Sequence, residues 1–152
     1  MSADRFAILI DDLGTLIGVP LHLDSHRRCR LSIDGTLHIQ IEEQEVQERI
    51  LIGALITEIT PGKYRENVLR ETLKENNLEN RLATFAYSER NNNLALFSYL
   101  YYPGLTGDKL ADFLGVFIEK AASWKTAIET GQLPERGQNL HKVGPSIFDV
   151  KQ

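Results

Sequence analysis

The sequence predicts an antiparallel α+β domain with elements in the order α-β-β-β-α-β-β-α. Three observations predict it. Apolar residues alternate with polar ones through two hairpin-like stretches, Cys29 to Ile41 and Leu82 to Leu100. Three other stretches carry apolar stripes at helical spacing. Strands and helices do not alternate singly, so a parallel sheet with crossover helices is not expected and helices should pack against one twisted antiparallel sheet.

The first helix is read from Phe6, Leu9, Ile10, Leu13 and Ile17, with Asp4, Asp11, Asp12 and Thr15 on the other side. Gly18 and Pro20 end it. The first hairpin follows. Cys29, Leu31 and Ile33 share one face, as do Leu37, Ile39 and Ile41, and Asp34-Gly35 between them supplies the positive φ angles of a tight turn. A third strand runs from about Arg49 to Glu58. Its nearly continuous apolar character predicts burial on both faces, and Gly53 marks a bulge or a close contact.

Thr60-Pro61 predicts the start of the second helix, with Thr60 as its cap. Tyr64, Val68, Leu69 and Leu73 form its stripe, Glu66 stands four residues before Arg70, and Asn76-Asn77 ends it. Two further strands alternate through Phe85 and Tyr87, then through Leu94, Leu96, Ser98 and Leu100, with Phe97 and Tyr99 on the opposite face. Asn91, Asn92 and Asn93 connect them. The last helix has the widest stripe: Leu110, Phe113, Leu114, Phe117, Ile118, Ala121 and Ile128. Thr106 caps it, and Gly131 and Pro134 end it. Residues 1–134 therefore read as one domain and 135–152 as a tail or extended arm, with an apolar cluster at Ile147, Phe148 and Val150.

The 152 residues suffice for a real core, and 42% hydrophobic with 25% charged residues is ordinary for a globular protein. A formal net charge of −4 and one short basic cluster (His26, Arg27, Arg28 and Arg30) argue against nucleic acid as a partner. Cys29 is the single cysteine, so no internal disulfide forms, which suits a reducing cytosol. Its alternation with Leu31 and Ile33 marks it as a buried hydrophobe. No apolar run approaches the ~20 residues of a membrane span, and the N-terminus lacks a signal-peptide pattern.

Catalytic apparatus is not visible. His22, His26, His38 and His141 are scattered without metal-ligand spacing. Glu42, Glu43, Glu45 and Glu48 read as solvated charge. Gly104, Gly107 and Gly115 make no phosphate-binding loop, and no histidine lies near Ser88 or Ser98 in sequence. Trp124 reads as packing. No catalytic residue, cofactor or metal is expected. The apolar stripes of the first two helices exceed what the core needs, and unused apolar surface points to partners.

The element order and several phrases resemble the class I type III secretion chaperones, the Tir-chaperone (CesT/SycE-like) family, chlamydia-type members among them. The phrases are Leu13-Gly14, Leu31-Ser32-Ile33-Asp34-Gly35, Ile39-Gln40-Ile41-Glu42-Glu43, Pro61-Gly62-Lys63-Tyr64-Arg65, Tyr87-Ser88-Glu89, and Gly107-Asp108-Lys109-Leu110 opening a helix that reaches Trp124 and Gly131. The resemblance covers about Phe6 to Pro134. It implies a non-enzymatic bacterial cytoplasmic homodimer. Such a protein binds the N-terminal chaperone-binding segment of one or more effectors, keeps it extended and secretion-competent, and helps deliver it to the apparatus, with the secretion ATPase or sorting platform as further partners.

Carried over by position, the resemblance implies effector binding by Phe6, Leu9, Ile10, Leu13, Leu31, Ile33 and Ile39, several of which must also be core. It implies a dimer interface at Tyr64, Val68, Leu69, Leu73 and Phe85, residues that a purely internal core would also use. Two rival readings remain at this stage. One is a small-ligand or enzymatic domain with a pocket between sheet and last helix. The other is an interaction module with a folded partner.

Overall fold

The computed structural model describes residues 4–133; the expected tail, with His141, Ile147, Phe148 and Val150, lies outside the described residues. The observed order is α1 (Arg5–Ile17), β1 (Arg28–Ile33), β2 (Leu37–Gln44), β3 (Arg49–Glu58), α2 (Lys63–Asn76), β4 (Thr84–Ser88), β5 (Asn93–Tyr101) and α3 (Gly107–Glu129). The five strands form one antiparallel sheet in the order β1-β2-β3-β5-β4.

Local chemistry explains most boundaries. The Asp4 side chain accepts a hydrogen bond from the Ala7 N–H and caps α1, and Gly18 at φ 74° ends it. Asp34 (φ 52°) and Gly35 (φ 71°) turn the first hairpin, closed by the Thr36 N–H donating to the Ile33 carbonyl. Thr106 caps α3 by accepting from the Lys109 N–H. The start of α2 is a correction. Thr60 is not its cap; the helix begins two residues after Pro61, at Lys63, behind Gly62. Gly62 stands at φ 137°, a backbone conformation open to glycine, so the Pro-Gly pair makes a turn before the helix rather than its first residues.

One face of the sheet builds the core. Cys29, Leu31, Leu37, Ile39, Ile41, Ile50, Ile52, Ala54, Phe85, Leu94 and Leu96 point inward from alternate strand positions. Helix α3 lies on this face, with Leu110, Leu114, Phe117, Ile118, Ala121 and Trp124 buried, and the Trp124 ring sits 4.2 Å from that of Phe85. Helix α1 packs on α3, adding Phe6, Leu9, Ile10 and Leu13. They approach closely at Gly107, where a Cβ would lie 2.8 Å from the Asp12 Cβ.

Helix α2 packs along β4, and the ammonium of Lys120 on α3 meets the carboxylate of Glu75 on α2 at 2.5 Å, both side chains buried. At the other end of α2 the Tyr64 hydroxyl donates to the Gln132 carbonyl. A polar clasp fastens the start of α1. Arg27 bonds both Asp4 and Glu43, and Glu43 accepts from the Tyr102 hydroxyl at 2.6 Å. The Arg27 bond and the Ala7 N–H hold the Asp4 carboxyl down at about 2, while burial and the Glu43 carboxylate push Tyr102 up.

Candidate functional site

The opposite face of the sheet carries no helix. This overturns the expectation that β3 is buried on both sides. Its residues alternate: Ile50, Ile52, Ala54 and Ile56 are buried, whereas Arg49, Leu51 and Gly53 are half-buried and Leu55 is 52% exposed. All three helices contribute to the inner side, so the outer apolar residues of β3 have no internal partner layer.

The register assembles the outer face in rows. One row crosses Arg30, Gln40, Gly53, Phe97 and Thr84; a second crosses Ser32, His38, Leu55, Ala95 and Ala86; a third crosses Arg28, Glu42, Leu51 and Tyr99. All of these but Thr84, Ala86, Arg28 and Tyr99 line an open concavity of ≈ 650 Å³. Gly53 lies at its centre. A Cβ there would find the Leu96 carbonyl at 3.8 Å and the Phe97 Cβ at 3.9 Å, ordinary contacts, so a side chain would project into the concavity without displacing the sheet. Gly53 is thus neither the bulge, which falls between Leu55 and Thr57, nor a tight packing contact.

The face is polarised. The β3–β5 side is apolar and aromatic, with Leu51, Leu55, Ala95 and Phe97, and the Phe97 and Tyr99 rings meet edge to face at 5.7 Å. Arg49 lies flat over Tyr99 at 3.6 Å, held by hydrogen bonds to Gln44 (2.6 Å) and the Tyr101 hydroxyl (3.1 Å). The β1–β2 side is polar: Arg30, Ser32, His38, Gln40 and Glu42. Nothing in this set resembles an activated nucleophile, and among the described residues no group of three or more His, Cys, Asp or Glu is placed to hold a metal ion.

The two sheet edges differ. On β4, the Asn76 side chain accepts from the Phe85 N–H (2.8 Å) and donates to the Phe85 carbonyl (3.0 Å), filling the place of a sixth strand. On β1, Leu23 bridges Cys29, and no further bridge is formed on that side toward Ile33 among the described residues.

The sequence-level site residues fall mostly inside the protomer. Phe6, Leu9, Ile10, Leu13, Leu31 and Ile39 are buried, and Ile33 is half-buried at the edge of the core. Ile8 and Leu16 on α1, and the outer rows of the sheet, are what that packing leaves exposed. Of the second set, Val68 and Phe85 are buried, Tyr64 and Leu69 are half-buried, and Leu73 is 68% exposed. Sequence reading missed Gly53, Leu51, Leu55 and the Phe97 face as a unit. The signal was the unbroken apolar run of β3, which carries apolar residues where a one-sided strand is normally polar.

Solved structures share the fold. The HopA1-SchA chaperone-effector complex matches with a TM-score of 0.68 at 20% identity over 83% of this chain and 100% of the other. The Yersinia pestis type III secretion chaperone SycH, in complex with a stable fragment of YscM2, matches at 0.63 and 16% over 76% and 96%. The ExsC-ExsE complex matches at 0.64 and 19% over 83% and 96%. No curated protein sequence matches the chain. The model of the Tir chaperone protein (CesT) family matches residues 8–125, a stretch that holds all five strands, the whole of α2 and most of α1 and α3, and the chain belongs to that family.

Proposed function

We propose that this protein is a non-enzymatic chaperone that binds a segment of a type III effector protein, keeps it secretion-competent, and does so as a cytoplasmic homodimer. The observation that carries the reading is the bare outer face of the sheet, an apolar concavity centred on Gly53 in a chain of the CesT family. The solved relatives described above include a chaperone-effector complex.

Physical chemistry supports the kind of ligand. The backbone groups of β2, β3 and β5 are already bonded within the sheet. A segment lying over them must satisfy its own backbone, as a helix does. Only at β1, where the edge is largely unoccupied, is there room for an added strand. The residues inferred from the resemblance (Phe6, Leu9, Ile10, Leu13, Leu31, Ile33 and Ile39) enter the proposal as the packing beneath this surface. For the homodimer we propose α2, through Leu69 and Leu73, because Leu73 is a large apolar side chain left in solvent.

Co-expression with N-terminal segments of secreted effectors from the same genome, followed by size-exclusion chromatography with light scattering, tests the proposal. A complex of two chaperones with one segment is expected, lost on Gly53→Leu. A chain that captures no segment overturns it.

A further inference from the structure

We infer that Arg30 selects a carboxylate in the docked segment, so that the concavity prefers an amphipathic helix with an acidic flank over one with a basic flank. The inference rests on the docking reading above and adds to it the charge of the partner. Nine arginines lie among the described residues, and seven are engaged. Arg5 faces Glu48 and Tyr102, and Arg27 faces Asp4 and Glu43. Arg28 is tied to Asp24, and Arg49 to Gln44 and two tyrosines. Arg65 bonds Tyr87 and Asn92, Arg70 bonds Asn67, and Arg81 bonds Thr84. Only the side chains of Arg30 and Arg90 have no hydrogen bond, ion pair or ring contact, and of these only Arg30 lines the concavity.

No neighbour of Arg30 forms an ion pair with it. Gln40 stands directly across on β2. Glu42, the one carboxylate of the lining, keeps its charge but stands opposite Arg28, accepts from the Gln40 side chain at 3.1 Å and makes no ion pair with Arg30. Arg28, two residues before Arg30 in β1 and on the same face, is already paired with Asp24. A chain of net charge −4 therefore presents a guanidinium without an ion-pair partner beside an apolar floor. A ligand that covers the floor excludes water from that guanidinium. A carboxylate restores its hydrogen bonds in the strong, charge-assisted form, whereas an ammonium adds repulsion to desolvation. Gly53 and Phe97 set where the apolar ridge lies, and Arg30 in the same row sets which flank faces β1.

The test is selection from a displayed library of helical peptides of about 20 residues. Each carries a fixed Leu/Phe ridge and Glu, Gln or Lys randomised at the flanks. The targets are the full-length wild type, Arg30→Glu, Gly53→Leu and Leu55→Lys, the folded state of each checked by circular dichroism and its mass by light scattering. Glu is expected to be enriched on one flank about tenfold over Lys on the wild type, and the preference to invert on Arg30→Glu. Capture should be lost on Gly53→Leu and on Leu55→Lys. Capture that depends on Gly53 and Leu55 but not on the charge at position 30 overturns this inference and leaves the docking surface standing. No capture, or capture unaffected by filling the concavity, overturns the docking surface and the inference with it. A dimer that becomes monomer on Gly53→Leu assigns the face to a second copy of the chain and overturns both.

Discussion

The two faces of the sheet are made by the same five strands and differ in what they ask of their side chains. The inner face is a run of aliphatic residues buried under α1 and α3, with the Phe85 ring tilted against that of Trp124. The outer face mixes Gly53, Leu51, Leu55 and Phe97 with Arg30, His38 and Glu42. On the inner face each side chain contributes to stability through burial. On the outer face the same kinds of side chain stay partly in water and leave a space. A glycine in the middle of a central strand costs stability and packs nothing. Its position at the centre of the concavity keeps that space open, which is the space the proposed docking needs.

The comparison can be broken by substitutions whose effects should separate by face. The largest effect on folding is expected from Lys120→Ala, which removes the ammonium from the buried Glu75 carboxylate and should cost about 3–5 kcal/mol. Urea unfolding checks it, and a loss under ~1 kcal/mol, the usual value for a surface pair, would mean that water reaches the pair. Next, Ile52→Ala on the inner face should cost about 2–5 kcal/mol, because its side chain is fully buried. Leu55→Ala on the outer face should cost less than about 1 kcal/mol in the same assay while weakening ligand capture. Equal losses from the two would erase the distinction between the faces.

Leu69→Asp sharpens the comparison at α2. Monomer or aggregate is expected in light scattering, and an unchanged dimer mass would remove α2 from the interface. The smallest effect concerns acid. The Asp4 carboxyl is held at about 2, below its ordinary 3.8, chiefly by Arg27. A depressed carboxylate contributes in full above the unfolded value and loses that contribution as pH falls from about 4 toward 2. Arg27→Ala should bring Asp4 back toward its ordinary value, read by NMR titration, with little change in unfolding midpoint at neutral pH.

Most of the fold was legible from local patterns. Alternation around Asp34-Gly35 placed β1 and β2, and the stripe from Leu110 to Ile128 placed α3 between the Thr106 cap and Gly131, because both depend on neighbours in sequence. The start of α2 was less legible: Thr-Pro is a common helix opening, and the turn at Gly62 outweighed it. The candidate site was hardest to read. Phe6, Leu9, Ile10, Leu13, Leu31 and Ile39 have the composition of a binding surface and the location of a core.

The sequence alone determined the elements, the antiparallel class, the buried Cys29 and the Thr106 cap of α3, since periodicity, turn chemistry and caps act over a few residues. Only the tertiary structure decided which apolar residues are buried and which stay exposed. That choice depends on where three helices, distant in sequence, come to rest. They cover one side of the sheet, leave Gly53 and Phe97 open on the other, and cap the β4 edge with Asn76 while β1 stays available. A hydrophobic side chain carries no mark of its partner; burial is assigned by the packing of the whole chain.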